Sequence, residues 1–146
     1  MQKSTITCTT KIEFDAAHRV IGHENKCKYL HGHRFTILAE FAAENLDNIG
    51  RIIDFGEAKN IIKKWIDDNF DHTAILSITD REIGTKIESY TGQKIYYLDK
   101  NPTAENLANH LYTEVIPELF KSVDVRLTSL RLYETPNCYV DIKKSE

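Results

Sequence analysis

The chain has 146 residues, 41% of them hydrophobic and 28% charged, with a formal net charge of −3. That is the size of one domain with its own core, and so mild an acidity gives no reason to expect nucleic acid as a general partner. No stretch approaches the roughly 20 apolar residues that span a bilayer, and the polar opening "MQKSTITCTTKIEF" lacks the apolar centre of a secretory signal.

"STITCTTKIEF" alternates like a strand, and Phe14, Ala16 and His18 share one face of the extended run that follows. "RFTILAEF" places Phe35, Ile37, Ala39 and Phe41 on one face. "LDNIG" reads as the turn after it, and "RIIDF" follows. Asp54 with Glu57 predicts a capping-box-like helix start, after which Ala58, Ile61, Ile62, Trp65 and Ile66 recur at helical spacing.

"SITDREIGTKIESYTGQ" predicts a short inserted helix ending near Gly92, with Ile83, Ile87 and Tyr90 on its buried side. "KIYYLD" predicts a short strand. In "NPTAENLANHLYTEVIPELF" a second main helix carries Leu107, Leu111, Tyr112, Val115 and Leu119 as its apolar stripe. Pro102 suits its start, and Pro117 should bend or end it. "VDVRLTSLRLYET" and "CYVDIK" predict closing strands, with a phase shift between Leu127 and Leu130 that calls for a bulge near Thr128. The order predicts an α+β fold in a single domain spanning 1–146: an antiparallel sheet with two main helices on one face. A sheet of so few strands has open edges unless another subunit covers them.

Cys8, Cys27 and Cys138 are odd in number and scattered, with no C-x-x-C. This argues against a disulfide framework and a zinc knuckle, and for free thiols in a reducing compartment.

His31 and His33 stand at i and i+2 at a strand start, so their side chains point the same way. His18 ends the neighbouring run. Two adjacent antiparallel strands could bring these imidazoles to one point, and three nitrogen ligands with an open fourth position is the pattern of catalytic zinc. On spacing alone, unconnected histidines explain the sequence equally well. Cys27 sits in the preceding loop between Lys26 and Lys28, within one loop of such a site; it need not be a ligand there and would also suit a base, or it is an ordinary exposed thiol. Asp71 beside His72 can orient an imidazole and raise its basicity, and Glu134 in "RLYETP" stands at a strand end, where side chains face pockets. Arg19, Lys26, Lys28 and Arg34 against the lone Glu24 suggest an anionic ligand near the histidines, or a solvated charged loop.

Together, "FDAAHRV", "CKYLHGH", "GRIIDFGEAK", "FDHTAIL", "NPTAENLA" and "RLYETP" stand in the order of one family. Over nearly its whole length the chain resembles the 6-pyruvoyl-tetrahydropterin synthases, including the 6-carboxytetrahydropterin synthases of queuosine biosynthesis. The departure is an insert at about 77–94, much of which shorter members lack. The resemblance implies the tunnelling fold, with subunits joined into a barrel of two stacked trimers and active sites at subunit interfaces. It implies Zn2+ on His18, His31 and His33, Cys27 as the proton-abstracting base, and His72 oriented by Asp71 as a proton relay. Glu134 would hold the pterin ring, with Thr103 and Glu105 lining its pocket. The implied reaction is conversion of 7,8-dihydroneopterin triphosphate to 6-carboxytetrahydropterin, acetaldehyde and triphosphate in the cytoplasm. Two alternatives stay open: the pyruvoyl-forming reaction without carbon loss, and a zinc-binding module without turnover.

Overall fold

The structure is a computed structural model that describes residues 4–145; Met1, Gln2 and Lys3 of the polar opening, and Glu146, lie outside the described residues. Two long strands form its centre. β1 (Cys8–His18) and β2 (His31–Ala42) pair antiparallel over their full length, with Cys8 opposite Phe41 and His18 opposite His31. Their alternation puts Ile12, Phe14 and Ala16 of β1 and Phe35, Ile37, Ala39 and Phe41 of β2 in the core. Burying each large side chain contributes about 1.5–3 kcal/mol, so the phase of both strands is strongly set. That phase carries His18, fully buried, onto the core face at the end of β1.

α1 (Phe55–Asn69) packs on this face through Ala58, Ile62 and Ile66, and Asp54 caps it by accepting the Glu57 N–H at 3.0 Å. The second main helix, α3 (Ala104–His110), runs through a π-helical segment (Leu111–Val115) into α4 (Ile116–Leu119). There the Ile116 N–H reaches back to the Leu111 carbonyl. Pro117 accounts for the widening: its ring would crowd the carbonyl of Thr113, and it has no N–H to offer it. No helix among the described residues is long and apolar enough to cross a membrane.

The sheet departs from the expected antiparallel arrangement. Its six strands run β4-β3-β1-β2-β5-β6; β2, β5 (Arg126–Thr135) and β6 (Cys138–Lys143) continue antiparallel from β1, but β3 (Thr73–Ser77) and β4 (Ile95–Leu98) are parallel to β1 and to each other. The sheet is therefore mixed. "TAILS" is too short and too continuously apolar to show a strand period, which hid β3 in the sequence. The insert explains this half of the sheet. α2 (Arg81–Thr91) is the crossover between β3 and β4, ended by Gly92 in the left-handed conformation (φ 72°). Tyr96 turns toward Trp65 and Phe70, so its neighbour Tyr97 turns to the opposite face, where it meets α2 at Gly84. Helices thus cover both faces of the parallel strands, and all of β3 is buried. On α2 the expectation for Tyr90 fails: Ile83 and Ile87 are half-buried, whereas Tyr90 is 87% exposed.

Two bulges shape β5. The first leaves Thr128 unpaired between Leu127 (opposite Phe41) and Ser129 (opposite Glu40), where the phase shift predicted it; its hydroxyl bonds the Glu40 side chain at 2.7 Å. The second falls where Tyr133 faces Tyr139 and Thr135 faces Cys138, leaving Glu134 as the extra residue.

Candidate active site

The pairing of His18 with His31, and of Ala16 with His33, brings the three imidazoles together at one end of the sheet. One ring nitrogen from each lies within 4.8 Å of the others. For His18 and His31 the backbone fixes which nitrogen this is. His18 Nδ1 is 2.8 Å from the Pro102 carbonyl, and His31 Nδ1 is 2.7 Å from the Tyr29 carbonyl. A carbonyl only accepts, so each Nδ1 carries the proton and each Nε2 presents a lone pair. The two Nε2 atoms are 3.1 Å apart. The third, His33 Nε2, is buried with no hydrogen-bond partner among the described residues. Burial lowers the pKa of the His18 and His33 imidazoles, which favours their neutral form. Converging lone pairs without a shared proton repel one another, and a cation between them removes the conflict. The donor set therefore fits a metal ion, and imidazole nitrogens suit zinc.

Glu134 joins this group. The bulge re-aims its side chain, placing Oε1 3.7 Å from His33 Nε2 and Oε2 3.9 Å from His18 Nε2. Nothing in the alternation of "RLYET" signals this. The backbone carbonyls of Pro102 and Tyr29 were equally hidden, since sequence reasoning about ligands counts side chains.

Cys27 lies in a 3-10 turn (Lys26–Lys28) within the loop between β1 and β2 and is half-buried. Its carbonyl accepts the Val20 N–H at 2.9 Å, which folds the loop back on the residues just after His18. The expected basic cluster is partly neutralised. Arg19 forms a double ion pair with the buried Asp80 of the insert (3.0 and 3.2 Å), and Arg34 binds Glu13 at 2.8 Å and Asp15 at 2.9 Å. Thr103 caps α3, its hydroxyl accepting the Asn106 N–H at 3.1 Å, and Glu105 is exposed in the first turn.

Asp71 and His72 form a defined pair at the start of β3. His72 Nδ1–H donates to Asp71 Oδ2 at 2.8 Å, while Asp71 Oδ1 accepts the Asp15 N–H at 3.0 Å. His72 has φ 57°, a conformation uncommon outside glycine, held by its own N–H donating to the Asp15 carbonyl at 2.6 Å. The Asp71 hydrogen bond and charge raise the His72 pKa; burial works against Asp71 ionising, but the Asp15 N–H and His72 bring its carboxyl below the usual range. The His72 ring is 77% exposed. No hydrogen bond or ion pair among the described residues joins it to Cys27 or to the three histidines.

A raised imidazole pKa means that the ion pair supports the fold at low pH and is lost as pH rises through the folded-state value. In Asp71→Asn the carboxylate's charge is lost and its charge-assisted hydrogen bond is at best replaced by a neutral amide acceptor, with the weaker effect of Asp15 remaining. NMR titration of the His72 ring should then give a midpoint below that of wild type; an unchanged midpoint would show that Asp71 does not set the basicity of His72.

A mixed sheet backed by two main helices, with three imidazoles and a carboxylate at one end, defines an α+β protein with a candidate metal centre. Residues 7–145 match the family model for 6-pyruvoyl tetrahydropterin synthase, and the chain belongs to that family. It is 56% identical over 137 residues to the 6-carboxy-5,6,7,8-tetrahydropterin synthase of Rickettsia bellii, covering 94% of this chain and 99% of the relative. It is 29% identical to the enzyme of that name from Haemophilus influenzae, covering 92% and 96% of the two chains. Among solved structures, it resembles an uncharacterised Wolinella succinogenes protein (TM-score 0.81, 20% identity, 98% and 100% coverage). It also resembles the 6-pyruvoyl tetrahydropterin synthase of Caenorhabditis elegans (TM-score 0.67, 21% identity, 99% of both chains). These two likenesses establish the fold.

Proposed function

We propose that the chain is a zinc-dependent 6-carboxy-5,6,7,8-tetrahydropterin synthase that converts 7,8-dihydroneopterin triphosphate and one water to 6-carboxy-5,6,7,8-tetrahydropterin, acetaldehyde and triphosphate. The observation that carries this reading is the full-length 56% identity to the Rickettsia bellii synthase. The convergent nitrogens of His18, His31 and His33 would hold a metal through three ligands and leave its fourth position for substrate, the pattern of a catalytic rather than a structural centre.

Zinc held there would act as a Lewis acid on the substrate's side-chain hydroxyls. Cys27, from its loop, would take the carbon-bound proton. Glu134, beside two of the three ligand nitrogens, would accept a hydroxyl proton as the side chain is cleaved. This position favours the side-chain end of the substrate for Glu134, because the amino-pyrimidine edge of a pterin lies at the opposite end of the bicycle. An acceptor for that edge is then needed elsewhere, and Glu105, exposed next to the Thr103 cap, meets the need. His72, held and made more basic by Asp71, would relay protons. Its exposure, and the lack of a link to Cys27 within the chain, favour a site completed by a neighbouring subunit. The edge strands β4 and β6 offer the surfaces for a closed barrel of trimers, stacked as a hexamer.

Incubation of the purified protein with 7,8-dihydroneopterin triphosphate, followed by mass spectrometry, tests the reading. Carboxytetrahydropterin and acetaldehyde are the expected products. A pyruvoyl product without acetaldehyde would place the chain with the pyruvoyl-forming members, and absence of any turnover would refute both.

A further inference from the structure

The loop that carries Cys27, residues 19–30, has little regular structure beyond its 3-10 turn, so its position depends on bonds to other parts of the fold. Asn101 makes two of them. Its Oδ1 accepts the Ile21 N–H at 2.9 Å, and its Nδ2 donates to the Ile21 carbonyl at 2.9 Å. The side-chain amide thus pairs with both backbone groups of a single loop residue, as a neighbouring strand would. Val20, the residue before it, is the one whose N–H holds the Cys27 carbonyl. Asn101 is itself anchored: its carbonyl accepts the Thr103 N–H at 2.8 Å and the Asn106 side-chain amide at 2.9 Å. The following residue, Pro102, holds the His18 ring.

One short segment before α3 therefore touches both halves of the site, the loop of the thiol and a metal-binding imidazole. The Arg19–Asp80 ion pair also holds the loop, but at its first residue, on the far side of Ile21 from Cys27. We propose that Asn101 is a positioning residue, which sets the Cys27 loop in register with the histidine cluster. The proposal rests on the reading of Cys27 as the base. The chemistry of the amide is specific. Aspartate accepts but cannot donate, and would set a carboxylate against the Ile21 carbonyl; alanine does neither.

The test uses the metal-loaded, full-length protein. Asn101→Ala should speed hydrogen–deuterium exchange in peptides covering residues 19–30 by about tenfold or more, while peptides from β2 exchange as in wild type. Metal content should not change. In turnover, kcat should fall by at least about tenfold with little change in KM, as expected for a misplaced base. Asn101→Asp, similar in shape, should give the same pattern, and decides the matter if the alanine variant fails to fold. Thr128→Ala, which loses the bond to Glu40 at the other end of the sheet, serves as the control and should lower Tm while leaving kcat intact. Exchange in 19–30 and kcat both within about twofold of wild type in the Asn101 variants would overturn the proposal. So would an equal loss of kcat in Thr128→Ala at matched loss of Tm. If the wild type turns over no pterin, the functional reading fails, and the exchange measurement still decides for or against Asn101 as the holder of the loop.

Discussion

Replacing His31 and His33 together with alanine should leave a folded protein that no longer retains metal. Wild type should purify with about one zinc per chain, and the double variant with almost none. The expectation follows from the directed lone pairs. Deleting two of three nitrogens leaves His18 alone beside Glu134, and one imidazole with one carboxylate does not match the affinity of a convergent three-nitrogen set. The fold should tolerate the change, because His31 and His33 are half-buried at the start of β2 and the apolar positions from Phe35 to Phe41 stay in place. Elemental analysis and Tm, measured on the same preparation, separate metal loss from unfolding. Full zinc retention in the double variant would remove the metal assignment, and with it the account of why a buried His33 nitrogen has no partner.

Cys27→Ala should have the opposite signature. The metal stays, Tm changes little, and kcat falls by a hundredfold or more, on the order of what a positioned base contributes. Metal should be retained because Cys27 lies outside the group of side chains that converge on one point. Stability should be nearly unchanged because the bond that fixes the loop uses the Cys27 carbonyl, which alanine keeps. The effect should therefore appear in kcat rather than KM, and a steady-state comparison with 7,8-dihydroneopterin triphosphate reads it directly. Turnover near the wild-type rate would require a different base, with His72 the next group to replace.

Much of this architecture is written in local patterns. The apolar alternation of Phe35, Ile37, Ala39 and Phe41 defines β2 and its buried face, and all four are fully buried. Asp54 with Glu57 marks the start of α1, and the phase slip around Thr128 marks a bulge, because caps and bulges depend on a few neighbouring residues. The three histidines were legible for the same reason: a period of two fixes the face of His31 and His33, and the run of Phe14 and Ala16 fixes that of His18.

What the sequence left open depends on contacts far apart along the chain. The bond from His18 to Pro102 spans 84 residues, and that from Asp71 to Asp15 spans 56. No local period encodes such pairings, and one partner in each is a backbone group, which every residue has. The helix α2 and the strand β4 were legible, but β3 and the parallel direction of this unit were missed, because a five-residue strand buried on both faces shows no alternation. Glu134 belongs to the same class. Its residue type suggested a site, but its place beside the histidines comes from one unpaired residue in the β5–β6 ladder. The sequence by itself determined the two long strands and the two main helices, the faces they bury and that His31 and His33 share one face, because those properties repeat along the chain. Only the tertiary structure decided which nitrogens point inward, which carboxylate joins them and how the thiol's loop is held, because each depends on distant groups brought within hydrogen-bond reach by the packing of the core.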